Sequence, residues 1–422
     1  MEGLVSETAK QKTKRGASQQ TRTTQRTTQR TTGAPTQRDS LSQRVQAIKP
    51  SGIRKFFDIA ATMPDVISLG VGEPDFVTPD HIRQAGIAAI EQGMTHYTSN
   101  YGTLELREAI AALLARRYGV AYNPKNEVLV TVGVSEAIDA TLRSILDDGD
   151  EVIVPDPGYV AYEADVTLAG GVVVPVATRV VDRFEVKASA IAAALTPRTK
   201  AILLGNPNNP TGAVIAEAEL AKIAALAQEH DLLVISDEVY SRLVYGETHA
   251  CIAAQPGMRD RTILVDGFSK AYAMTGWRVG YVCAPSHILE AVLKVHQYAI
   301  MCAPTMSQAA ALEAVLHGED DVRAMVASFD ERRRLMVAGF NAIGLPCYEP
   351  HGAFYAFPSI ARTRLTSDEF AEKLLFEEQV AVVPGAAFGA AGEGFVRAAY
   401  CTARDQIEEA ITRIGRFVAK YS

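Results

Sequence analysis

The stretch Gly267–Gly280, which reads G-F-S-K-A-Y-A-M-T-G-W-R-V-G, brings together groups that could act on a carbonyl compound and an anion. Lys270 lies between a predicted strand and an apolar run that holds the only Trp of the chain. Partial desolvation lowers the pKa of a lysine amine and favours its use as a nucleophile. Arg278, eight residues later, could clamp an anion beside it. An isolated lysine is usually a solvated surface residue, but the length of this pattern favours a functional one.

A carboxylate is predicted at the end of another buried strand, in Ile235–Tyr240, which reads I-S-D-E-V-Y. Burial of Asp237 there is costly unless its carboxylate meets a cation or hydrogen-bond donors. Asp237 is therefore a second candidate site residue. The structural alternative is that it caps the N-terminus of a following helix.

A third candidate, Ser135, lies in Gly133–Ala137 (G-V-S-E-A), where a predicted strand leads directly into a helix. Gly133 permits a sharp turn, and the free amides at the start of a helix suit a phosphate group. Ser135 also suits a helix N-cap. The same pattern approximates the nucleophile elbow of a serine hydrolase without its second glycine, and the order Ser135, Asp237, His249 would allow a catalytic triad.

These candidates follow short β-branched runs that alternate with helical stretches from about residue 127 onward. Most of the runs are continuously apolar, which is typical of strands in a sheet that helices cover on both faces. The order predicts an α/β fold with a mainly parallel sheet, whose ligand site lies beyond the carboxyl ends of the strands. The predicted strands are Val128–Val132, Glu151–Pro155, Val172–Val176, Lys200–Leu204, Leu232–Ser236, Thr262–Asp266 and Val279–Cys283, with helices such as Ser135–Leu146 and Ala216–His230 between them.

The composition is that of a globular protein, with 422 residues of which 48% are hydrophobic and 22% are charged. The net charge of −7 argues against nucleic acid as a partner. Residues 1–40 differ from the rest, since they hold eight Lys or Arg against three Asp or Glu and repeat the unit T-T-Q-R. Because no Leu, Ile, Val, Met or aromatic residue lies between Val5 and Leu41, we predict a disordered basic tail.

Targeting and metal signals are weak. The tail shares the basic composition of an organellar transit peptide but lacks an apolar helix face, so we expect a cytoplasmic protein and leave import open. We predict no secretory signal and no membrane span. The five Cys form no CxxC pattern and the eight His form no HxH or HExxH pattern, so we expect neither a disulfide framework nor a metal site.

With these motifs in hand, nearly everything from Leu41 to Ser422 resembles a class I pyridoxal-phosphate aminotransferase of fold type I. The stretch around Lys270 is similar to the lysine signature of that family along its whole length. Four further motifs follow the family's order: Ser68–Phe76 (S-L-G-V-G-E-P-D-F), His96–Thr98 with Gly102, Asn206–Gly212 (N-P-N-N-P-T-G) and Phe395–Arg397 (F-V-R).

The resemblance implies a role for each residue around the cofactor ring. Lys270 would form a Schiff base with pyridoxal 5'-phosphate, and Asp237 would pair with the protonated pyridine nitrogen. Asn209 and Tyr240 would hydrogen-bond the ring hydroxylate. Tyr159 would stack on the face of the ring.

The resemblance also implies how anions are held. The amides of Val134 and Ser135, together with Arg278, would bind the cofactor phosphate. Arg397 would clamp the α-carboxylate of the substrate, and Gly72 would let the backbone of the N-terminal segment close over it.

In this family Tyr97 reaches the phosphate of the neighbouring subunit, which implies a homodimer with shared sites. Two positions depart from the pattern. Many relatives have Ser or Thr where this chain has Gly267, and some aspartate-specific relatives have Lys where it has Ser135. The second departure removes one candidate cation for a side-chain carboxylate.

The implied activity is transfer of an amino group from an L-amino acid to a 2-oxo acid such as 2-oxoglutarate, by ping-pong kinetics, with Lys270 moving the proton. Lys49–Phe57 and the body of the chain are most similar to the subgroup of broad, aromatic-type and acetyl-diaminopimelate-type aminotransferases, which implies an aspartate, aromatic or broad specificity. A pyridoxal-phosphate β-lyase or decarboxylase of the same fold is the nearest alternative, and the serine hydrolase is a remote one. A transcription regulator would need a DNA-binding domain that residues 1–40 cannot form.

The order of elements then predicts four parts. Asp320–Ile343 is a long charged helix that leads out of the large domain, and the segments after it predict a small α+β domain: Cys347–Phe357, Ser367–Glu378, Val380–Val383, Gly394–Tyr400 and Arg404–Lys420. We divide the chain into the tail (1–40), an N-terminal segment that packs with the small domain (41–85), a large cofactor-binding domain (86–325) and the small C-terminal domain (326–422).

Overall fold

The computed structural model describes residues 40–48, 63 and 65–422. The predicted disordered tail therefore lies almost wholly outside the described residues, as does the stretch Lys49–Phe57. The chain divides after Ser42, and Gln43–Ser422 form one compact unit. The division of this unit into a large and a small domain stays a prediction.

A seven-stranded sheet forms the centre of this unit and confirms the predicted α/β class. Each predicted strand is present with bounds that differ by at most one residue. The strand order is β2-β8-β7-β6-β5-β3-β4, and β8 runs antiparallel to both of its neighbours while β3 to β7 are parallel. The strands are β2 (Val128–Thr131), β3 (Glu151–Asp156), β4 (Val172–Ala177), β5 (Thr199–Gly205), β6 (Leu233–Asp237), β7 (Thr262–Gly267) and β8 (Gly280–Cys283).

Helices cover both faces of the sheet, which explains the continuous apolar runs. In β3, Val152 and Val154 join one buried cluster, whereas Ile153 between them joins the cluster on the other face. Among the described residues up to 342, the α-helices are α1 (Gln43–Ala47), α2 (Asp80–Glu91), α3 (Leu104–Tyr118), α4 (Gly133–Ile145), α5 (Ala161–Leu168), α6 (Ala188–Ala194), α7 (Glu217–Glu229), α8 (Ser286–Ala299), α9 (Thr305–His317) and α10 (Glu319–Ala342).

The C-terminal part contains two small sheets. β9 (Tyr355–Ala356), β11 (Val383–Pro384) and β12 (Val396–Ala399) form an antiparallel sheet in the order β11-β12-β9, and β10 (Val380–Ala381) pairs in parallel with β1 (Ile67–Ser68). These strands are shorter than the predicted segments.

Two further helices, α11 (Ser367–Glu378) and α12 (Arg404–Tyr421), complete the described chain and match the prediction closely. α11 begins at a capping box, in which the Thr366 hydroxyl accepts from the Glu369 amide and the Glu369 carboxylate accepts from the Thr366 amide. No helix within residues 40–48 and 65–422 is long and apolar enough to cross a membrane.

Candidate active site

Strands β2, β3, β5, β6 and β7 all end at one cavity of about 680 Å³. The residues that follow each of these strands line its wall, because the five strands point in the same direction and their carboxyl ends share one edge of the sheet. Of the site residues predicted from the sequence, all but Tyr97 and His249 line this cavity: Gly72, Val134, Ser135, Tyr159, Asn209, Asp237, Tyr240, Lys270, Arg278 and Arg397.

Lys270 directs its amine into the cavity from the turn after β7. Its Nζ donates a hydrogen bond of 2.6 Å to the carbonyl oxygen of Gly72 and lies 5.9 Å from the ring centre of Tyr240 and 5.8 Å from that of Phe354. Burial lowers the pKa of the amine from 10.5 to about 8, and Arg397 adds a smaller effect in the same direction. The neutral, nucleophilic form of Lys270 is therefore far more accessible than that of a surface lysine.

Asp237 ends β6 and is only 5% exposed. Its Oδ2 accepts a hydrogen bond of 2.8 Å from the Tyr162 hydroxyl, and its Oδ1 accepts one of 3.1 Å from the Val239 amide. Burial raises the pKa of the carboxyl from 3.8 to about 6, and the bond from Tyr162 opposes this shift. Gly205, the register partner of Asp237, leaves room for the Tyr162 hydroxyl, which would lie 2.7 Å from an added Cβ.

The start of α4 and Arg278 together form an anion-binding corner. Gly133 has a φ of +75°, and a Cβ on it would lie 2.5 Å from Nη2 of Arg278, so glycine is required both by the turn and by the guanidinium that lies against it. The first amides of α4, those of Val134 and Ser135, lack helical acceptors. They and Arg278 leave a positive corner at the cavity wall.

Arg397 is 3% exposed and lies close to two aromatic rings. Its guanidinium carbon is 4.4 Å from the ring centre of Tyr355 and 4.8 Å from that of Phe388. Nη1 donates to Oδ1 of Asn209 at 3.0 Å and Nη2 donates to the carbonyl oxygen of Gly70 at 2.6 Å. Within the part of the chain that the structure describes, Nε has no hydrogen-bond partner and the guanidinium forms no salt bridge.

The family model of the class I and II aminotransferases matches residues 64–414. This chain belongs to that family. The aminotransferase is similar to an aspartate aminotransferase of Pyrococcus abyssi, with 47% identity over 89% of this chain and 97% of the relative. It is also similar to the aromatic-amino-acid aminotransferase 2 of Thermococcus litoralis, with 43% identity over the same shares.

The fold matches solved structures equally well. The aspartate aminotransferase of Thermus thermophilus with maleate superposes with a TM-score of 0.86 at 39% identity, over 90% of this chain and 99% of that structure. The predicted fold type I and the predicted transaminase class are thereby confirmed. The alternatives of a β-lyase and of a serine hydrolase are not favoured.

The geometry of the aminotransferase also excludes the triad considered for the hydrolase. His249 is buried and pairs through Nε2 with Glu238 rather than Asp237, whose own partners are Tyr162 and the Val239 amide. His249 does not line the cavity that Ser135 faces. No helix begins at Asp237, so the alternative of a helix cap is wrong as well.

Tyr97 lies apart from the cavity. It is 81% exposed and belongs to a surface depression that Thr95–Tyr97 and Cys302–Met306 form. Within the aminotransferase chain itself, therefore, Tyr97 does not join the other predicted site residues.

Three aromatic residues of the site were missed in the sequence: Tyr162, Tyr355 and Phe388. Tyr162 lies three residues after Tyr159 and its amide donates to the Tyr159 carbonyl oxygen, so this spacing is a signal for it. Tyr355 lies in the aromatic run Phe354–Phe357, which the sequence pattern indicates only as part of the small domain, and Phe388 has no motif of its own.

Proposed function

We propose that this aminotransferase binds pyridoxal 5'-phosphate and moves an amino group between an L-amino acid and a 2-oxo acid. The proposal rests on one observation above all: a single cavity combines a lysine of lowered pKa, a buried carboxylate and a buried arginine that forms no salt bridge in the described chain. These are the groups that a carbonyl carbon, a protonated ring nitrogen and a substrate carboxylate require.

The cavity residues fit this cofactor. Burial of the Asp237 carboxylate is unfavourable in the protein alone, and a cationic pyridine nitrogen beside it would reverse the rise of its pKa. Tyr240 and Asn209 present a hydroxyl and an amide to the same cavity, suitable for the ring oxygen. The bound cofactor would supply the electron sink that lets the Cα–H bond of an amino acid ionise.

The opposite end of the cofactor would be held as an anion. Arg278 and the amides of Val134 and Ser135 form a corner suited to a phosphate, with Gly133 keeping the backbone close. Tyr159 lies at the wall of the same cavity and would cover the ring. Gly267 offers no side-chain hydroxyl, so the phosphate would depend on the groups named here.

Arg397 would bind the α-carboxylate of the amino acid or 2-oxo acid. Its guanidinium is already oriented by two carbonyl oxygens and two rings, so little side-chain entropy remains to be lost. Lys270, once released from the cofactor, would take and return the substrate proton, and a pKa of about 8 lies close to the working pH that such a base needs.

The next question is which substrate side chains the cavity accepts. The cations that line the cavity in the described chain are Lys270, Arg278 and Arg397, each with a role already assigned. Because Ser135 adds no charge, we propose a broad specificity that spans dicarboxylic and aromatic amino acids, with 2-oxoglutarate as acceptor. The named activities of relatives with aspartate and with aromatic amino acids support this breadth.

We further propose a homodimer in which Tyr97 reaches the phosphate site of the partner. Exposed apolar side chains support an interface on this side of the protein, since Tyr97 and Tyr298 are 81% and 87% exposed and Met301 is 44% exposed. Sedimentation should give twice the chain mass, and Tyr97→Phe should weaken cofactor binding several-fold at unchanged mass, with Tyr298→Phe as the matched control. A monomer with full cofactor affinity would contradict this proposal.

The absorption spectrum tests the central proposal. The purified protein with added pyridoxal phosphate should show a yellow band that borohydride abolishes and that Lys270→Ala lacks, while Lys294→Ala, at an exposed lysine outside the cavity, keeps it. A wild-type protein that takes up no pyridoxal phosphate would refute the proposal. A panel of amino acids against 2-oxoglutarate then gives the specificity.

A further inference from the structure

Tyr355 touches three parts of the site that the proposed function treats separately. It lies in β9 opposite Ala399 of β12, and Arg397 lies two residues along that strand on the same face. This register places its ring over the Arg397 guanidinium at 4.4 Å. Its hydroxyl lies 2.7 Å from the Tyr240 hydroxyl, and a Cβ on Gly72 would come within 2.5 Å of it.

The two phenols form a hydrogen bond whose direction is not fixed by the protein alone, since either oxygen can donate. When an anionic oxygen lies in the cavity, Tyr240 must donate to it, and Tyr355 must then donate to Tyr240. Donation into a hydrogen-bonded hydroxyl makes that hydroxyl a stronger donor. Both phenols stay protonated near neutral pH, because burial raises the pKa of Tyr355 to about 12 and raises that of Tyr240 well above its ordinary value.

The ring of Tyr355 has a separate effect. Arg397 is a buried cation that forms no salt bridge with the described residues, so its two aromatic neighbours and two carbonyl oxygens carry its stabilisation. The ring centres of Tyr355 and Phe388 lie 4.4 Å and 4.8 Å from the guanidinium carbon. Loss of either ring would let the guanidinium move away from the orientation in which it can meet a carboxylate.

We propose that Tyr355 is a positioning residue with two functions: its hydroxyl orients the proton of Tyr240 toward the cofactor oxygen, and its ring fixes Arg397 for the substrate carboxylate. The inference rests on the proposed cofactor and substrate sites. It assigns to one side chain the alignment of the cofactor ring with the substrate carboxylate.

Tyr355→Phe tests the hydroxyl. A weaker donor at Tyr240 stabilises the cofactor oxygen anion less, so the pH midpoint of the visible absorption band should rise by roughly half to one pH unit, about 3- to 10-fold in the acid constant. The KM for the amino acid should stay nearly unchanged because the ring remains. Tyr245→Phe is the matched control, since it removes a buried hydroxyl that bonds to the Ala353 carbonyl oxygen outside the cavity.

A double-mutant cycle separates this role from general packing. If Tyr355 acts through Tyr240, then Tyr355→Phe should shift the midpoint no further in a Tyr240→Phe background. A midpoint for Tyr355→Phe equal to that of the wild type, or a shift that persists without the Tyr240 hydroxyl, would overturn the role of the hydroxyl.

Tyr355→Leu and Phe388→Leu test the ring. Each should raise the KM for the amino acid roughly 3- to 10-fold beyond the effect of Tyr355→Phe. Phe388→Leu, which does not touch Tyr240, should leave the absorption midpoint in place and serves if Tyr355→Leu does not fold. An unchanged KM in the folded variants would overturn the role of the ring, whereas a colourless wild type would instead refute the proposed function.

Discussion

Replacing Tyr162 by Phe removes the hydroxyl that donates to Asp237 while keeping the ring that fills the same space. The bond is 2.8 Å long, both residues are at most 5% exposed, and the second donor to the carboxylate is the Val239 amide at 3.1 Å. Asp237 would remain buried with only that amide as a donor among the described contacts. Its ionised form would therefore lose much of its stabilisation.

The size of this loss follows from the burial of the pair. A hydrogen bond to a charged group contributes about 1.5 to 3 kcal/mol, which corresponds to about one to two pKa units. Starting from about 6, the pKa of Asp237 would move to about 7 to 8. At pH 7 the ionised fraction of the cofactor-free protein would fall from about nine tenths to between about one tenth and one half.

Pyridoxal phosphate binding measured against pH reports this change. In the proposed complex the ring cation would pair with ionised Asp237. The dissociation constant of the wild type should therefore rise as the pH falls through about 6, and that of Tyr162→Phe should begin to rise one to two pH units higher. The cofactor phosphate also titrates near pH 6. Asp237→Asn keeps the phosphate titration and removes the carboxyl, so its profile provides the baseline to subtract.

The reasoning fails if Tyr162→Phe and the wild type, each corrected by this baseline, lose affinity at the same pH. Equal midpoints would mean that the Tyr162 bond does not control the charge of Asp237. A loss of affinity that is independent of pH would instead indicate that Tyr162 only packs against the cofactor site.

Three further predictions address other parts of the protein. Arg397→Lys should raise the KM for amino acids by about 10- to 100-fold, because a lysine cannot form a forked pair, and should leave the absorption band intact; loss of the band would place Arg397 in cofactor binding instead. Gly133→Ala should raise the dissociation constant of the cofactor by at least 10-fold, because an added Cβ would lie 2.5 Å from Arg278 and the φ of Gly133 is +75°. An unchanged affinity would contradict the proposal that this turn binds the phosphate. The pKa of His81 is raised chiefly by its hydrogen bond to Asp321. His81 should therefore stabilise the folded protein below about pH 6.5, and this contribution should be lost as the pH rises through its higher folded pKa. Thermal denaturation of His81→Gln should lack this pH dependence.

Much of the fold was accessible in the sequence because the sheet is buried on both faces. Runs such as Val128–Val132 and Lys200–Leu204 are mostly apolar on both faces, so their ends are clear in the sequence. The predicted bounds of each strand agree with the structure within one residue. The C-terminal strands were less accessible. The predicted segment Val380–Val383 covers two short strands, β10 and β11, which pair with different partners, β1 and β12. Each strand has only two residues, too few to show an alternation of apolar and polar side chains.

The site residues also differ in how easily the sequence predicts them. Lys270, Asp237 and Ser135 each follow a recognisable strand, so a rule about carboxyl ends finds them. Tyr355 enters the cavity from a two-residue strand of another sheet, and Phe388 reaches Arg397 from a short turn after β11. No local pattern marks either side chain in the sequence. The position of Tyr355 beside Arg397 depends on the pairing of β9 with β12, which brings together residues more than 40 positions apart in the chain.

Two charged groups of the candidate site destabilise the ligand-free protein, and this connects stability with the proposed function. Asp237 is ionised at pH 7 against a pKa raised from 3.8 to about 6, and Lys270 is charged against a pKa lowered from 10.5 to about 8. At about 1.4 kcal/mol per pKa unit, each charge costs the folded cofactor-free protein about 3 kcal/mol. A ligand that pairs with Asp237 and bonds covalently to Lys270 relieves both costs, so cofactor binding should stabilise the protein by more than its contact area suggests. The cofactor-free Asp237→Asn variant should then unfold at a higher temperature than the cofactor-free wild type at pH 7, and this order should disappear at pH 4, where Asp237 is protonated in the folded protein.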